Sequence, residues 1–222
     1  MRLAVSVEGQ TEEEFVKRVL AVHLRGRRIE STPIVLGRAR GRSGGGSVSL
    51  DRLVSELVTL LGAFDAVTTL VDFYGFRRTR DSAVDDLEKQ LISGIRARLG
   101  RAWDERKTIP YIQMHEFEGL LFSEVNVFST QVDFPAGCAA ALRAVRERFS
   151  TPEDINDNPE TAPSKRIASV IPRYDKRSHG PILAEEIGLA RIRAECPRFD
   201  AWVTRLESLG AEATGRAARA EA

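Results

Sequence analysis

Short apolar runs and helical stripes alternate along the first half of the chain. Leu3 to Val7 is an apolar run of strand length, closed by Glu8, Gly9 and Gln10. Thr11 is placed to cap the helix that follows. Glu12, Glu13 and Glu14 fill its first turn, where negative charge suits the helix dipole. Phe15, Val19, Val22 and His23 continue one helical face, and Ile29 to Leu36 is a second apolar run. Leu50 to Leu61 has helical spacing. Ala66 to Phe73 is the clearest buried strand, with Asp81 placed to cap a helix reaching about Leu99. Thr108 to Gln113 reads as one further strand. This succession predicts an α/β core with a mainly parallel sheet flanked by helices.

Beyond about residue 130 the strand signal stops. Ala136 to Phe149 is an Ala/Arg-rich helix, and residues 151–163 form a polar, Pro-containing loop. Ser164 is placed to cap a helix through Ile171. Shorter helices are expected over Pro181 to Gly188, Leu189 to Cys196 and Arg198 to Leu209. Phe199, Trp202 and Leu206 share one helical face, which either packs inward or forms an exposed stripe for a partner. The expected division is a core over 1–130, a helical C-terminal extension packed on it over 131–210, and a frayed tail over 211–222. The Gly-rich basic stretch from Gly37 to Ser47 reads as a loop, either a solvated connector or an arm for phosphates.

Composition narrows the class. With 222 residues, 42% of them apolar, the chain can bury a sizeable core. A net charge of +1 gives no bulk sign of a polyanion partner, yet an acidic site can offset a basic groove. Two cysteines, Cys138 and Cys196, argue against a disulfide scaffold or zinc ribbon and for buried packing. His23, His115 and His179 lie far apart, which disfavours a His-based zinc site. Glu8 interrupts the first apolar run too early for a secretory signal, and no run approaches the about 20 residues of a membrane helix. A cytoplasmic protein without membrane partners is expected.

The candidate chemistry lies at the strand ends. Glu8 follows the first predicted strand, Asp72 ends the third and Glu116 follows the fourth. Parallel α/β sheets bind ligands outside these carboxyl ends. Carboxylates gathered there repel one another unless a cation joins them, and hard oxygen ligands suit Mg2+ or Mn2+. Glu12, one helical turn on, can point to the same place. Glu116 and Glu118 fall on different sides of a helix, so only one is expected to face the site. His115 could orient a carboxylate, act as an acid or simply pack. Arg77, Arg78 and Arg80 directly follow the Asp72 strand and are placed to hold substrate phosphates. Lys165, Arg166 and Lys176 follow the polar loop and are either cations for a leaving oxygen or solvated surface charges.

Several stretches together resemble a known family. Val7-Glu8-Gly9-Gln10-Thr11-Glu12 is similar to the VEGxTE opening of Toprim-type nucleases of the overcoming-lysogenization-defect (OLD) group. Val71 to Phe76 and Met114 to Phe122 resemble two further signatures of prokaryotic domain-of-unknown-function family 4276. So do Pro152 to Asn156, Pro163 to Ile167, Tyr174 to Lys176 and Cys196 to Trp202. The resemblance spans about residues 1 to 209. It implies a Toprim-like fold and a magnesium-type acidic site, and carries metal-ligand roles to Glu8, Glu12 and Asp72. It also implies a nucleic-acid substrate, DNA or RNA, and an ATPase partner in a defence-like setting. Glu8, Asp72 and a carboxylate of the His115–Glu118 segment would then serve in-line phosphodiester hydrolysis. One position departs from the pattern, since Tyr74 stands where a full Asp-x-Asp motif has its second acid. Two other classes fit the residues: a non-catalytic module binding nucleic acid or an ATPase, and a hydrolase of a small phosphorylated ligand.

Overall fold

The computed structural model describes residues 1–37, 48–76, 83–156 and 159–220. The basic clusters within 38–47 and at Arg77, Arg78 and Arg80, with the Asp81 cap, lie outside the described residues. The sheet is wholly parallel among them. β1 (Arg2–Val7) pairs on one side with β2 (Glu30–Val35) and on the other with β3 (Ala66–Asp72). The outer side of β3 is covered by two short strands, β4 (Thr108–Ile109) and β5 (Ile112–Gln113). The expected strand from Thr108 to Gln113 is therefore broken in two. Pro110 lacks the N–H that would continue the ladder. The Thr69 hydroxyl bridges the gap, donating to the Tyr111 carbonyl at 2.7 Å and accepting from the Tyr111 N–H at 2.8 Å.

Side-chain alternation sends each strand into two cores. Leu3, Val5, Val7 and Leu70 face one, Ala4, Val67 and Val71 the other. The second core is closed by α3 (Leu50–Leu61) and α4 (Val84–Leu99). Gly94 of α4 lets these helices touch, because an added Cβ would sit 2.8 Å from Val54 Cγ2. The first core is closed by α1 (Gln10–Phe15), a π-helical turn over Val16–Leu20, and α2 (Ala21–Arg25). The C-terminal half packs into that same core. It comprises α5 (Cys138–Arg146), α6 (Pro163–Val170), α7 (Lys176–Ile187), α8 (Leu189–Glu195) and α9 (Pro197–Ala220). The backbone of α9 stays helical to Ala220, past the point where fraying was expected.

Phe199, Trp202 and Leu206 on α9 are buried, which settles their face as packing rather than an exposed stripe. Trp202 stacks on Tyr111 at 4.5 Å and donates its indole N–H to Thr68 Oγ1 at 2.8 Å. The N-terminus of α9 is anchored twice. Glu153 accepts from the Arg198 and Phe199 N–H groups at 2.8 and 3.0 Å, and the Arg198 guanidinium spans Asp85 and Glu88 of α4. Cys138 and Cys196 are buried and free, as their packing role requires.

Both sheet edges are blunted. In β2, Glu30 and Leu36 donate toward β1, so Pro33 falls at an outward-facing position and offers no donor there. On the other edge the Ile112 N–H is taken by Glu88 at 2.9 Å. Among the described residues no helix is long and apolar enough to cross a membrane.

Candidate active site

The chain passes from β1 to β2 on one side, then returns to place β3 on the other side of β1. That reversal opens a crevice at the carboxyl ends of β1 and β3, the place where α/β sheets hold ligands. Glu8 stands just beyond β1 and Asp72 is the last residue of β3. The Asp72 N–H donates to Glu8 Oε2 across a long 3.4 Å. Residues 64 positions apart thus share one pocket.

The surrounding backbone is shaped to hold these acids. Gly9, not Thr11, is the N-cap of α1, and its N–H donates to Glu12 Oε2 at 2.9 Å. That bond turns the Glu12 carboxylate back to the strand ends, as in one half of a capping box. Thr11 instead contacts the Lys176 carbonyl of α7, with Oγ1 at 3.4 Å. The 3-10 turn over Phe73–Gly75 runs beneath Glu8. A Cβ at Gly75 would lie 2.6 Å from Glu8 Oε2 and 3.0 Å from Val48 Cγ2. Gly75→Ala is therefore expected to displace the Glu8 carboxylate and weaken Mn2+ binding several-fold. Unfolding should shift by no more than about 1–3 kcal/mol. Paired manganese and thermal titrations check this, and unchanged Mn2+ affinity would contradict it.

Glu116 and Glu118 both add to the field at Asp72, where only one of the two was expected to face the site. That expectation assumed a helix running through both. Glu116 is instead extended, and a 3-10 turn begins only at Phe117. Glu116 Oε2 accepts from the Ser164 N–H at 3.0 Å, and Glu118 Oε1 accepts from the Tyr174 hydroxyl at 3.5 Å. Ser164 was expected to cap α6 through its side chain. The cap is Ala162, and the Ser164 amide is spent on Glu116. Neither grip on the two acids was legible, since both cross from the C-terminal half. His115, between β5 and the turn, has φ +63°, a left-handed backbone that swings its carbonyl to the Tyr74 N–H at 3.2 Å. Its ring lies 5.5 Å from that of Tyr74. Burial lowers its pKa, so the imidazole is held neutral, with Nδ1 buried and unpartnered.

These acids share one field. Asp72 is pushed well above the usual carboxylate range by burial, then by Glu12, Glu8, Glu118 and Glu116. Burial and Glu12 raise Glu8 to about 7, against the pull of the Asp72 amide and Lys176. Burial and Glu116 raise Glu118, only 1% exposed, to about 7. Burial also raises Glu12. Asp72 Oδ1 is buried with no hydrogen-bond partner. Such an orphaned acid oxygen is costly and points to a missing positive partner. Among the described residues no three His, Cys, Asp or Glu side chains stand ready-made as a metal cage. The donors fit a hard cation in kind, since all of them are carboxylate oxygens.

A pH dependence follows. Carboxyls raised from 4.5 to about 7 on folding stabilise the fold below 4.5, and that contribution is lost as pH rises through about 7. The metal-free protein is thus expected to unfold at lower temperature at pH 8 than at pH 6. The cost is on the order of 3 kcal/mol, and added Mn2+ should shrink the gap. Melting curves in chelator at the two pH values, then with metal, test it. Equal or reversed melting temperatures in chelator would contradict it.

The sequence matches the family described as Domain of unknown function (DUF4276) over residues 7–207. The chain belongs to this family. No curated protein matches it. Among solved structures it is similar to the C-terminal region of the Burkholderia pseudomallei OLD protein, at 18% identity and a TM-score of 0.49, covering 96% of this chain and 98% of that one. It is also similar to the C-terminal region of the Xanthomonas campestris pv. campestris OLD protein. Two structures of that region give 17% and 14% identity and a TM-score of 0.46, covering 97% and 96% of this chain and 96% and 97% of theirs.

The remaining candidates in this DUF4276 chain divide. Lys176, at the start of α7, lies in the field of the acids. Lys165 is exposed, one residue after the Ser164 amide that holds Glu116. Arg166 is drawn to the Thr161 carbonyl at 2.7 Å and over the Phe149 ring at 5.3 Å. A cleft of about 740 Å³ lies elsewhere, between α4, β4 and α9. It holds none of these acids, and several of its charges are already paired, as in Glu88–Arg198, Lys89–Asp86 and Arg96–Glu105. Chemistry therefore favours the strand-end crevice over this cleft.

Proposed function

We propose that this chain is a divalent-metal-dependent nuclease with a Toprim-like site, hydrolysing phosphodiester bonds in nucleic acid beside an ATPase partner. One observation carries the reading. Acids from three strand ends and the first turn of α1 meet in one crevice, and an Asp72 oxygen is left buried without a partner. The motif resemblance to OLD-group nucleases supports the same chemistry, and is the ground for the partner and for a defence-like role.

Glu8, Asp72, Glu116 and Glu118 would hold Mg2+ or Mn2+, with Glu12 facing the same place. When bound, such an ion supplies Lewis acidity toward a phosphate oxygen and a water of lowered pKa. The chain's own groups set the rest. The Asp72 amide and the Gly75 turn fix Glu8, Ser164 fixes Glu116, and Tyr174 holds Glu118. His115 is kept neutral and able to accept a proton, while Lys176 and Lys165 offer positive charge for phosphate.

Tyr74 in place of a second motif acid favours a rival reading, a module that binds nucleic acid without cutting it. The test is incubation with plasmid DNA, single-stranded DNA and RNA in chelator, Mg2+ or Mn2+. Cleavage that needs the metal supports the nuclease. Tight, salt-sensitive binding with no cleavage under either metal would establish the binding module instead.

A further inference from the structure

Two loops beside the strand-end acids are stitched so that their aromatic rings meet. The Tyr74 N–H donates to the His115 carbonyl at 3.2 Å, a bond that the left-handed backbone of His115 makes possible. The Tyr74 and His115 rings then lie 5.5 Å apart at 45°, and the Phe73 ring lies 6.2 Å from that of Tyr74 at 33°. Acids are the chain neighbours of these rings. Asp72 precedes Phe73, Glu116 follows His115, and Gly75 brings the backbone after Tyr74 against Glu8. Phe73, Tyr74 and His115 are all half-buried. Phe15, Phe117, Phe199 and Trp202, by contrast, are spent on the first core. Phe73 packs against the second core, which anchors the row of rings.

We propose that Tyr74, supported by Phe73 and His115, forms an aromatic platform that stacks an unpaired nucleobase beside the acids, so that the substrate is single-stranded rather than duplex nucleic acid. The inference rests on the proposed nuclease reading of this site and adds the substrate class. A base inside a duplex has both faces covered by its neighbours, whereas a single strand offers them to a protein ring. Stacking also suits a site rich in carboxylates. Those acids repel a phosphate chain, while a neutral phenol ring attracts the base without adding charge. Tyr74 thereby acquires a purpose where a second motif acid is missing. In place of one more ligand oxygen, a ring two residues beyond Asp72 gives a surface to the nucleotide whose phosphate meets the acids. Base–aromatic contacts tolerate any base, so single strands of DNA and of RNA both fit.

The test measures binding by fluorescence anisotropy in Ca2+, a hard cation for the same oxygens, with single-stranded DNA and RNA of one sequence and the corresponding DNA duplex. The wild-type chain is compared with Tyr74→Leu, which keeps apolar bulk, and Tyr74→Phe, which keeps the ring. Tyr74→Leu is expected to bind single strands about tenfold more weakly, with duplex binding changed by less than about twofold. Tyr74→Phe should stay within about twofold of the wild type on both. In a series of single strands made abasic at one position at a time, one position should cost the wild type about tenfold and Tyr74→Leu nothing further. A merely structural tyrosine would not produce that match. Three results each overturn the platform: wild-type affinity of Tyr74→Leu for single strands, equal losses on single strand and duplex, or an abasic series without effect on the wild type, an arm that needs no variant to fold. Metal-dependent cleavage that persists beside any of them leaves the nuclease reading standing. Single-strand binding that shows the Tyr74 effects, with no cleavage in Mg2+ or Mn2+, removes the nuclease and keeps the platform.

Discussion

Asp72→Asn is expected to abolish metal-dependent cleavage while making the metal-free protein more stable at pH 8. The two effects share one cause. Asp72 is half-buried among four other acids and carries a buried oxygen with no partner. A neutral amide of the same shape removes a repelling charge and can donate to a neighbouring carboxylate. In the proposed site the same change would remove a ligand oxygen, and the charge stabilisation lost with a displaced ion is worth several kcal/mol, about a thousandfold or more in rate. Glu8→Gln should behave alike. Cleavage assays and melting curves on one preparation check both arms. A stabilised variant that still cuts at the wild-type rate would exclude Asp72 from the site, and a destabilised one would show that its charge is compensated in the metal-free fold.

Trp202→Ala is expected to cost about 3–5 kcal/mol, the largest loss of stability from any single truncation considered for this fold. Trp202 is 2% exposed, stacked on Tyr111, edged by Phe199 and hydrogen-bonded to Thr68 in the middle of the sheet. Removing it leaves a cavity at the seam between β3, the broken edge strand and α9. For a chain of this size the melting temperature should fall by roughly 10 °C. A shift within a degree or two would mean that α9 does not close this core in solution. Phe199→Leu, which keeps most of the volume, should cost far less.

Glu8 and Asp72 were legible because each ends an apolar run, and a parallel sheet sends such ends to one edge. Their neighbourhood was less so. The spacing of Glu116 and Glu118 speaks for opposite sides only in an α-helix, and the extended backbone at Glu116 removes that premise. Thr11 and Ser164 are both good capping residues by type, yet Gly9 and Ala162 take those positions. The freed groups serve long-range contacts, Thr11 to Lys176 and Ser164 to Glu116, which no local propensity encodes. Pro110 was visible in the strand it interrupts. What local pattern did not reveal is that the Thr69 side chain would restore the lost connection. The closeness of Lys176 to the acids depends on α7 packing against α1, a tertiary fact.

Manganese anomalous diffraction from crystals of the wild-type chain tests the central claim most directly. An anomalous peak is expected in the crevice beyond β1 and β3, touched by oxygens of Glu8 and Asp72 and by Glu116 or Glu118, directly or through water. Fully loaded crystals with no peak there, or with manganese bound only at surface acids remote from Asp72, would contradict it.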